Sequence, residues 1–94
     1  MPVAPGERIW IPVEAAEGAF PGESLVTLET NLGPVSGFTS KKDLHLIGDR
    51  YHMEAEVQEV SEDTVTVNLR GSFFTTTGVA YLPRGSESEF RKAS

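Results

Sequence analysis

The chain has 94 residues, no cysteine, and a formal net charge of −6 at pH 7 from 14 acidic and eight basic side chains. A chain of this length builds one hydrophobic core and buries about 60–65% of its unfolded surface. The acidic balance repels phosphate backbones, and the paired bases Lys41-Lys42 are too few for a nucleic-acid footprint. We therefore expect no nucleic-acid partner, no disulfide and no thiolate nucleophile.

The amino terminus and the hydropathy of the chain bear on its location. Met1 to Gly6 has neither a basic start nor an apolar run. No later stretch approaches the roughly 20 apolar residues that span a bilayer. Because a chain without cysteine fits a reducing interior, we expect a cytoplasmic protein with no membrane partner.

Two Pro-Gly-Glu turns introduce the first two predicted strands. Pro5-Gly6-Glu7 precedes an alternating run over Arg8–Val13, and Pro21-Gly22-Glu23 precedes one over Ser24–Thr30. This is typical of a type II turn that leads into a strand. Since Pro12 has no N–H to donate to a neighbouring strand, we expect the first strand to lie at an edge of the sheet.

A third strand and a short helical turn follow. Asn31-Leu32-Gly33-Pro34 predicts a turn into the strand Val35–Thr39, and Ser40-Lys41-Lys42-Asp43 matches the S-x-x-D capping pattern. The stretch from Gly33 to Leu44 resembles bacterial SH3-like domains, in which a Gly, an aromatic and a β-branched residue close a strand before a helical turn and a buried Leu. The resemblance covers about an eighth of the chain. It implies a small SH3-like barrel of the kind that binds peptides or polymers, and it fixes no ligand residues.

The clearest hairpin pairs Tyr51–Val60 with Thr64–Arg70 through the turn Ser61-Glu62-Asp63. Apolar and polar residues alternate in both strands, which predicts one packed face and one wet face that carries His52 and Glu54. The alternation slips between Val57 and Val60, which predicts a β-bulge.

The remaining elements complete the predicted fold. A last strand over Val79–Leu82 ends at Pro83, and the polar, unpatterned residues 84–94 are expected to form a frayed tail. We predict an all-β protein, a small SH3-like barrel of five to six short antiparallel strands with one short helical turn. Residues 1–83 would form this single domain.

A contact surface is predicted around the stretch Gly71–Gly78. Phe73 and Phe74 are adjacent in a strand and must point to opposite faces, so we expect one in the core and one on the surface. Trp10 points away from the aliphatic face of its strand, so it either belongs to the contact surface or plugs the end of the barrel. The predicted binding residues are Trp10, Arg70, Phe73, Phe74, Thr75, Thr76 and Thr77.

Two groups of polar residues are candidates for a metal or catalytic site. His45, Asp49 and His52 are residue types that ligate zinc, but their spacing matches no standard site, so we expect no metal and no cofactor. Glu54 and Glu56 share a strand face, and two such carboxylates can in principle divide acid and base roles. A solvated face is the simpler interpretation, and catalysis is therefore not expected.

These features favour a non-enzymatic binding or assembly module that self-associates, for example as a homodimer, or docks a protein partner through its aromatic and threonine-rich surface. The alternative is a small-ligand binder or minimal enzyme whose pocket forms only in an oligomer. In that case the residues that line the shared pocket would be Glu54, Glu56, Asn68 and Arg70.

Overall fold

The computed structural model describes residues 3–69 and 78–92. The strands are β1 (Arg8–Glu17), β2 (Glu23–Thr30), β3 (Gly33–Ser40), β4 (Leu44–Ile47), β5 (Arg50–Val60), β6 (Thr64–Leu69), β7 (Val79–Pro83) and β8 (Arg91–Lys92). Two short 3-10 turns, η1 (Lys41–Asp43) and η2 (Arg84–Glu89), are the helical elements of the described residues.

All strands belong to one antiparallel sheet with the order β3-β2-β1-β5-β6-β7, in which β4 pairs with β5 and β8 pairs with β1. The sheet curls into a half-barrel, so the predicted all-β fold with short helical turns is confirmed. The described residues form eight strands, more than the five to six expected, because β4 and β8 are too short to show a pattern in the sequence. The SH3-like type of the barrel stays a prediction.

The core is built from the alternating faces of the strands. Apolar residues at every second position of β1, β2, β5 and β6 point into the half-barrel, as a two-residue period requires. The buried apolar residues of the strands are Ile9, Ile11, Val13, Val26, Leu28, Met53, Ala55, Val57, Val65, Val67, Leu69, Ala80 and Leu82.

The predicted hairpin and its bulge are both confirmed. Strand β5 pairs with β6, and the register shifts between Val57 and Glu59. The extra residue, Gln58, brings the following side chains back into phase.

The first strand lies inside the sheet, so the edge predicted from Pro12 is wrong. Strand β1 pairs with β5 over Arg8–Val13 on one side, and with β8 and then β2 on the other. The N–H of Val57 donates to the carbonyl of Glu7 over 2.8 Å. The backbone N–H and C=O groups of successive residues point to opposite edges of a strand in an antiparallel ladder. Those of the odd-numbered residues of β1 therefore point toward β5, and those of Pro12 point toward the other edge. There β8 pairs only with Ile9 and Trp10, and β2 pairs only from Glu14 onward. Proline is tolerated because none of the described strands pairs with it on this edge.

The curl brings the β2–β3 turn against the far end of the sheet. Asn31 donates its backbone N–H to the carbonyl of Tyr81 over 2.8 Å. Its side-chain Nδ2 donates to the Thr64 hydroxyl over 2.7 Å. These bonds join β2 to β7 and β6, and they explain why the strands form a half-barrel rather than a flat sheet.

The carboxyl-terminal residues pack on the sheet, which corrects the expected frayed tail for residues 84–92. Phe90 is only 5% exposed and belongs to the core, and β8 adds to the edge of β1. The buried carboxylate of Glu87 pairs with Arg84 and accepts the backbone N–H of Val3. Arg84 also donates from Nη1 to the carbonyl of Ser61 over 2.7 Å. Much of the packing of residues 84–92 is made by ion pairs and backbone hydrogen bonds. The segment can therefore be polar and show no regular spacing of apolar residues.

Replacing Phe90 by Ala should lower the free energy of unfolding by about 3 kcal/mol, since it leaves a cavity in a small core. This corresponds to a fall in melting temperature of roughly ten degrees or more. The matched control is Phe20→Ala, because Phe20 is 70% exposed. Equal melting temperatures of the two variants, measured by circular dichroism, would show that Phe90 does not anchor the terminus.

Replacing Glu87 by Gln should destabilise the protein by about 1–3 kcal/mol, because the charge opposite Arg84 is lost in a buried position. The control is Glu89→Gln, whose side chain is 49% exposed and pairs with Arg50 at the surface. We expect the control to change stability by less than about 1 kcal/mol. Urea unfolding checks both values, and the reverse order of the two variants would contradict this account of Glu87.

Candidate functional site

Of the predicted binding residues, Trp10 lies in the described part of the chain. Arg70, Phe73, Phe74, Thr75, Thr76 and Thr77 lie outside the described residues, and so does the question of which phenylalanine is buried.

Trp10 lies half-buried on the outer face of the sheet, opposite the core. Its direct partner on β5 is Glu54, and its ring contacts the His45 ring with centroids 4.3 Å apart and planes tilted by 47°. Strands β1 and β4 flank β5 on opposite sides, so the indole lies across β5 to reach His45. Such ring pairs contribute about 0.5–1.5 kcal/mol beyond their buried area, which fixes the orientation of the indole.

His52 is buried on this outer face, where the sequence predicted a wet surface. It is only 5% exposed, and its direct cross-strand neighbours are Pro12 and His45. Nδ1 of His52 lies 3.0 Å from the carbonyl oxygen of Arg50. Because a carbonyl only accepts, this hydrogen bond requires the proton on Nδ1. The expected wet face fails here because rings on both adjacent strands cover His52.

The structure brings together two of the three candidate metal ligands. His45 and His52 are direct partners on β4 and β5, whereas Asp49 lies in the turn between these strands. No group of three or more His, Cys, Asp or Glu residues is arranged for a metal ion within residues 3–69 and 78–92.

Cationic side chains flank the indole on an otherwise acidic protein. Arg8, two residues before Trp10, contacts Glu54 with Nη2 and Oε1 3.0 Å apart. Arg91 pairs directly with Trp10 from β8, so its exposed side chain shares the same face. We call this surface the Trp10 face; it consists of Arg8, Trp10, His45, His52, Glu54 and Arg91.

The pair of carboxylates weighed for catalysis lies beside the Trp10 face. A depression of about 180 Å³ is lined by Arg8, Glu54, Ala55, Glu56, Asn68 and Leu69. It gathers three of the four residues that the alternative prediction assigned to a shared pocket. Glu54 contacts Arg8, and Glu56 accepts a hydrogen bond from Nε2 of Gln58 over 3.2 Å. Glu56 is exposed, whereas the side chain of Glu54 is only 17% exposed, so the expected solvated face holds at Glu56 and not at Glu54.

Comparison with known proteins finds no matching family, no matching curated protein and no matching solved structure. Within the part of the chain that the structure describes, no helix has the length and apolar character needed to cross a membrane. The function must therefore be inferred from the geometry of this chain.

The contact between Trp10 and His45 joins residues 35 positions apart, and neither residue alone indicates it. Alternation shows that Trp10 and Pro12 share a face, but only the register of β4 and β5 places His45 beside the indole. The pair could have been predicted from the sequence only if Leu44–Ile47 had been recognised as a strand, with His45 on the same face of the sheet as Trp10.

Replacing His45 by Ala should uncover the indole and shift the fluorescence of the single tryptophan to longer wavelength. Loss of the ring contact should cost about 1 kcal/mol. The matched control is Leu46→Ala, since Leu46 is on the opposite face of the same strand and 61% exposed. If both variants emit at the wavelength of the unmodified protein, Trp10 does not depend on His45 for its position.

Proposed function

We propose that this protein is a non-enzymatic binding module that associates with itself or with a protein partner through the Trp10 face. The observation that carries the proposal is a half-buried tryptophan, held in one orientation against His45 on the outer face of the sheet. Phe73, Phe74 and Thr75–Thr77 belong to the proposed surface on the sequence argument alone.

A pre-oriented indole is suited to binding because it offers a large apolar area at a low cost in side-chain entropy. The sheet beneath it is continuous, because β8, β1, β5 and β4 run side by side under the face. A partner that packs on Trp10 therefore meets backbone that is already paired in strands.

The charges of the Trp10 face favour an acidic partner. Arg91 is exposed beside Trp10, and Arg8 is half-exposed with only Glu54 as its ion-pair partner among the described residues. The whole chain carries a net charge of −6, so a second copy offers carboxylates to these arginines as readily as another acidic protein does. Complementary charges steer association and select partners more than they add affinity.

The contacts of the two carboxylates beside the face favour binding over catalysis. Glu54 contacts Arg8 and Glu56 contacts Gln58, so each carboxylate already has a partner within the described residues.

Replacing Trp10 by Ala should weaken self-association at least tenfold, because a central aromatic side chain contributes more than about 1.4 kcal/mol to a typical interface. Sedimentation velocity over a series of protein concentrations measures the dissociation constant. If the unmodified protein is monomeric throughout, affinity capture from lysate should return a defined acidic protein that the Trp10 variant fails to retain.

The matched control is Tyr81→Ala, since Tyr81 is an exposed aromatic residue on β7, away from Trp10. Circular dichroism must show both variants folded. Equal association or capture by the Trp10 and Tyr81 variants would contradict the proposal.

A further inference from the structure

A cleft opens beside Pro12, at the point where the edge of β1 changes partner. It has a volume of about 170 Å³ and lies between β1, β2, β7 and the η2 turn. Its lining residues are Ile11, Pro12, Val13, Glu14, Thr27, Leu28, Glu29, Arg50, Leu82, Ser86, Glu89 and Phe90. Trp10, the predicted binding residue in the described part of the chain, does not line it.

The cleft is a consequence of the strand pairing. Strand β8 leaves β1 after Trp10, and β2 joins β1 only at Glu14, so a gap remains between them. Pro12 faces this gap, and the alternation of the ladder directs its carbonyl oxygen there. The gap forms a cleft along the side of the core, whose side chains there are each no more than 5% exposed, and it places a hydrogen-bond acceptor at the edge of the cleft.

The floor of the cleft is apolar. Ile11, Val13, Leu28, Leu82 and Phe90 line it, and each of them is buried in the core. A cavity of about 150 Å³ with aliphatic and aromatic walls holds a benzene ring. The cleft therefore has room for an apolar group of about six carbon atoms.

The rim of the cleft is negative. Glu14, Glu29 and Glu89 contribute three carboxylates, and Arg50 contributes one guanidinium. Arg50 is already paired with Glu89, with Nη1 and Oε1 3.0 Å apart. Within the described residues, Glu14 and Glu29 form no ion pair. They lie on exposed positions of β1 and β2 on either side of the gap.

We infer that this cleft binds a small primary amine whose apolar or aromatic body lies in the cleft against the side of the core. The ammonium group has three donors and no acceptor, and the rim supplies acceptors in Glu14, Glu29 and the carbonyl of Pro12. A carboxylate ligand would meet two unpaired negative charges. The site belongs to a single chain and is separate from the Trp10 face, so it stands whether or not the protein associates.

The test compares three probes that share one ring: benzylamine, benzyl alcohol and benzoate. Amide chemical shifts of the full-length protein, labelled with ¹⁵N, are followed during titration with each probe at low salt. We expect benzylamine to move the amides of Leu28, Glu29 and Phe90, and to bind about tenfold more tightly than benzoate. The backbone amide of Lys42 in η1 serves as an internal control, because η1 does not line the cleft.

The contribution of the rim is tested by Glu29→Gln, with Glu62→Gln as the matched control in the exposed turn between β5 and β6. We expect the Glu29 variant to bind benzylamine about two- to fivefold more weakly and benzyl alcohol with unchanged affinity. The control should bind all probes like the unmodified protein. Absence of any shift at the cleft with benzylamine, or equal affinity for benzylamine and benzoate, would overturn the inference.

Discussion

Strand β1 changes partner along one edge, and this change organises both the sheet and the packing of the carboxyl-terminal segment. This strand has ten residues and serves three neighbours: β5 on one edge, and β8 and β2 in succession on the other. Pro12 lies between those two pairings, at a position where a backbone N–H would have no strand partner among the described residues, so the lack of an N–H costs no hydrogen bond. One half of β1 can therefore pair with β8 and the other half with β2 on the same edge. The carboxyl-terminal strand β8 needs this free half of the edge in order to join the sheet.

The carboxyl-terminal segment adds stabilising contacts to a domain whose hydrophobic core is small. Phe90 fills one side of the core, and Glu87 joins η2 to Val3 near the amino terminus and, through Arg84, to the β5–β6 turn. A buried carboxylate is tolerated because a guanidinium and a backbone N–H together replace its water. In a chain of this size, such contacts are a large fraction of the net stability.

The two proposed sites share the neighbourhood of Pro12 and differ in charge. On the outer face, rings from β1 and β4 cover His52, and Trp10 lies beside Arg8 and Arg91. At the gap, the cleft runs along the side of the core and carboxylates dominate its rim. Because opposite charges select different partners, one small domain can present an aromatic surface to a protein and a separate cleft to a small cation.

Features that depend on neighbouring residues could be predicted from the sequence. Alternation predicted the apolar face of β1, the β5–β6 hairpin and its bulge, because a two-residue period and a slip in it are local properties of a strand. The sequence did not reveal how Pro12 is accommodated, why His52 is buried, or why the polar stretch from Arg84 packs on the sheet. Each of these depends on which distant strand lies alongside, and Trp10 is the clearest case. Its outward direction followed from alternation, whereas its contact with His45 required the pairing of β1, β5 and β4 in one register.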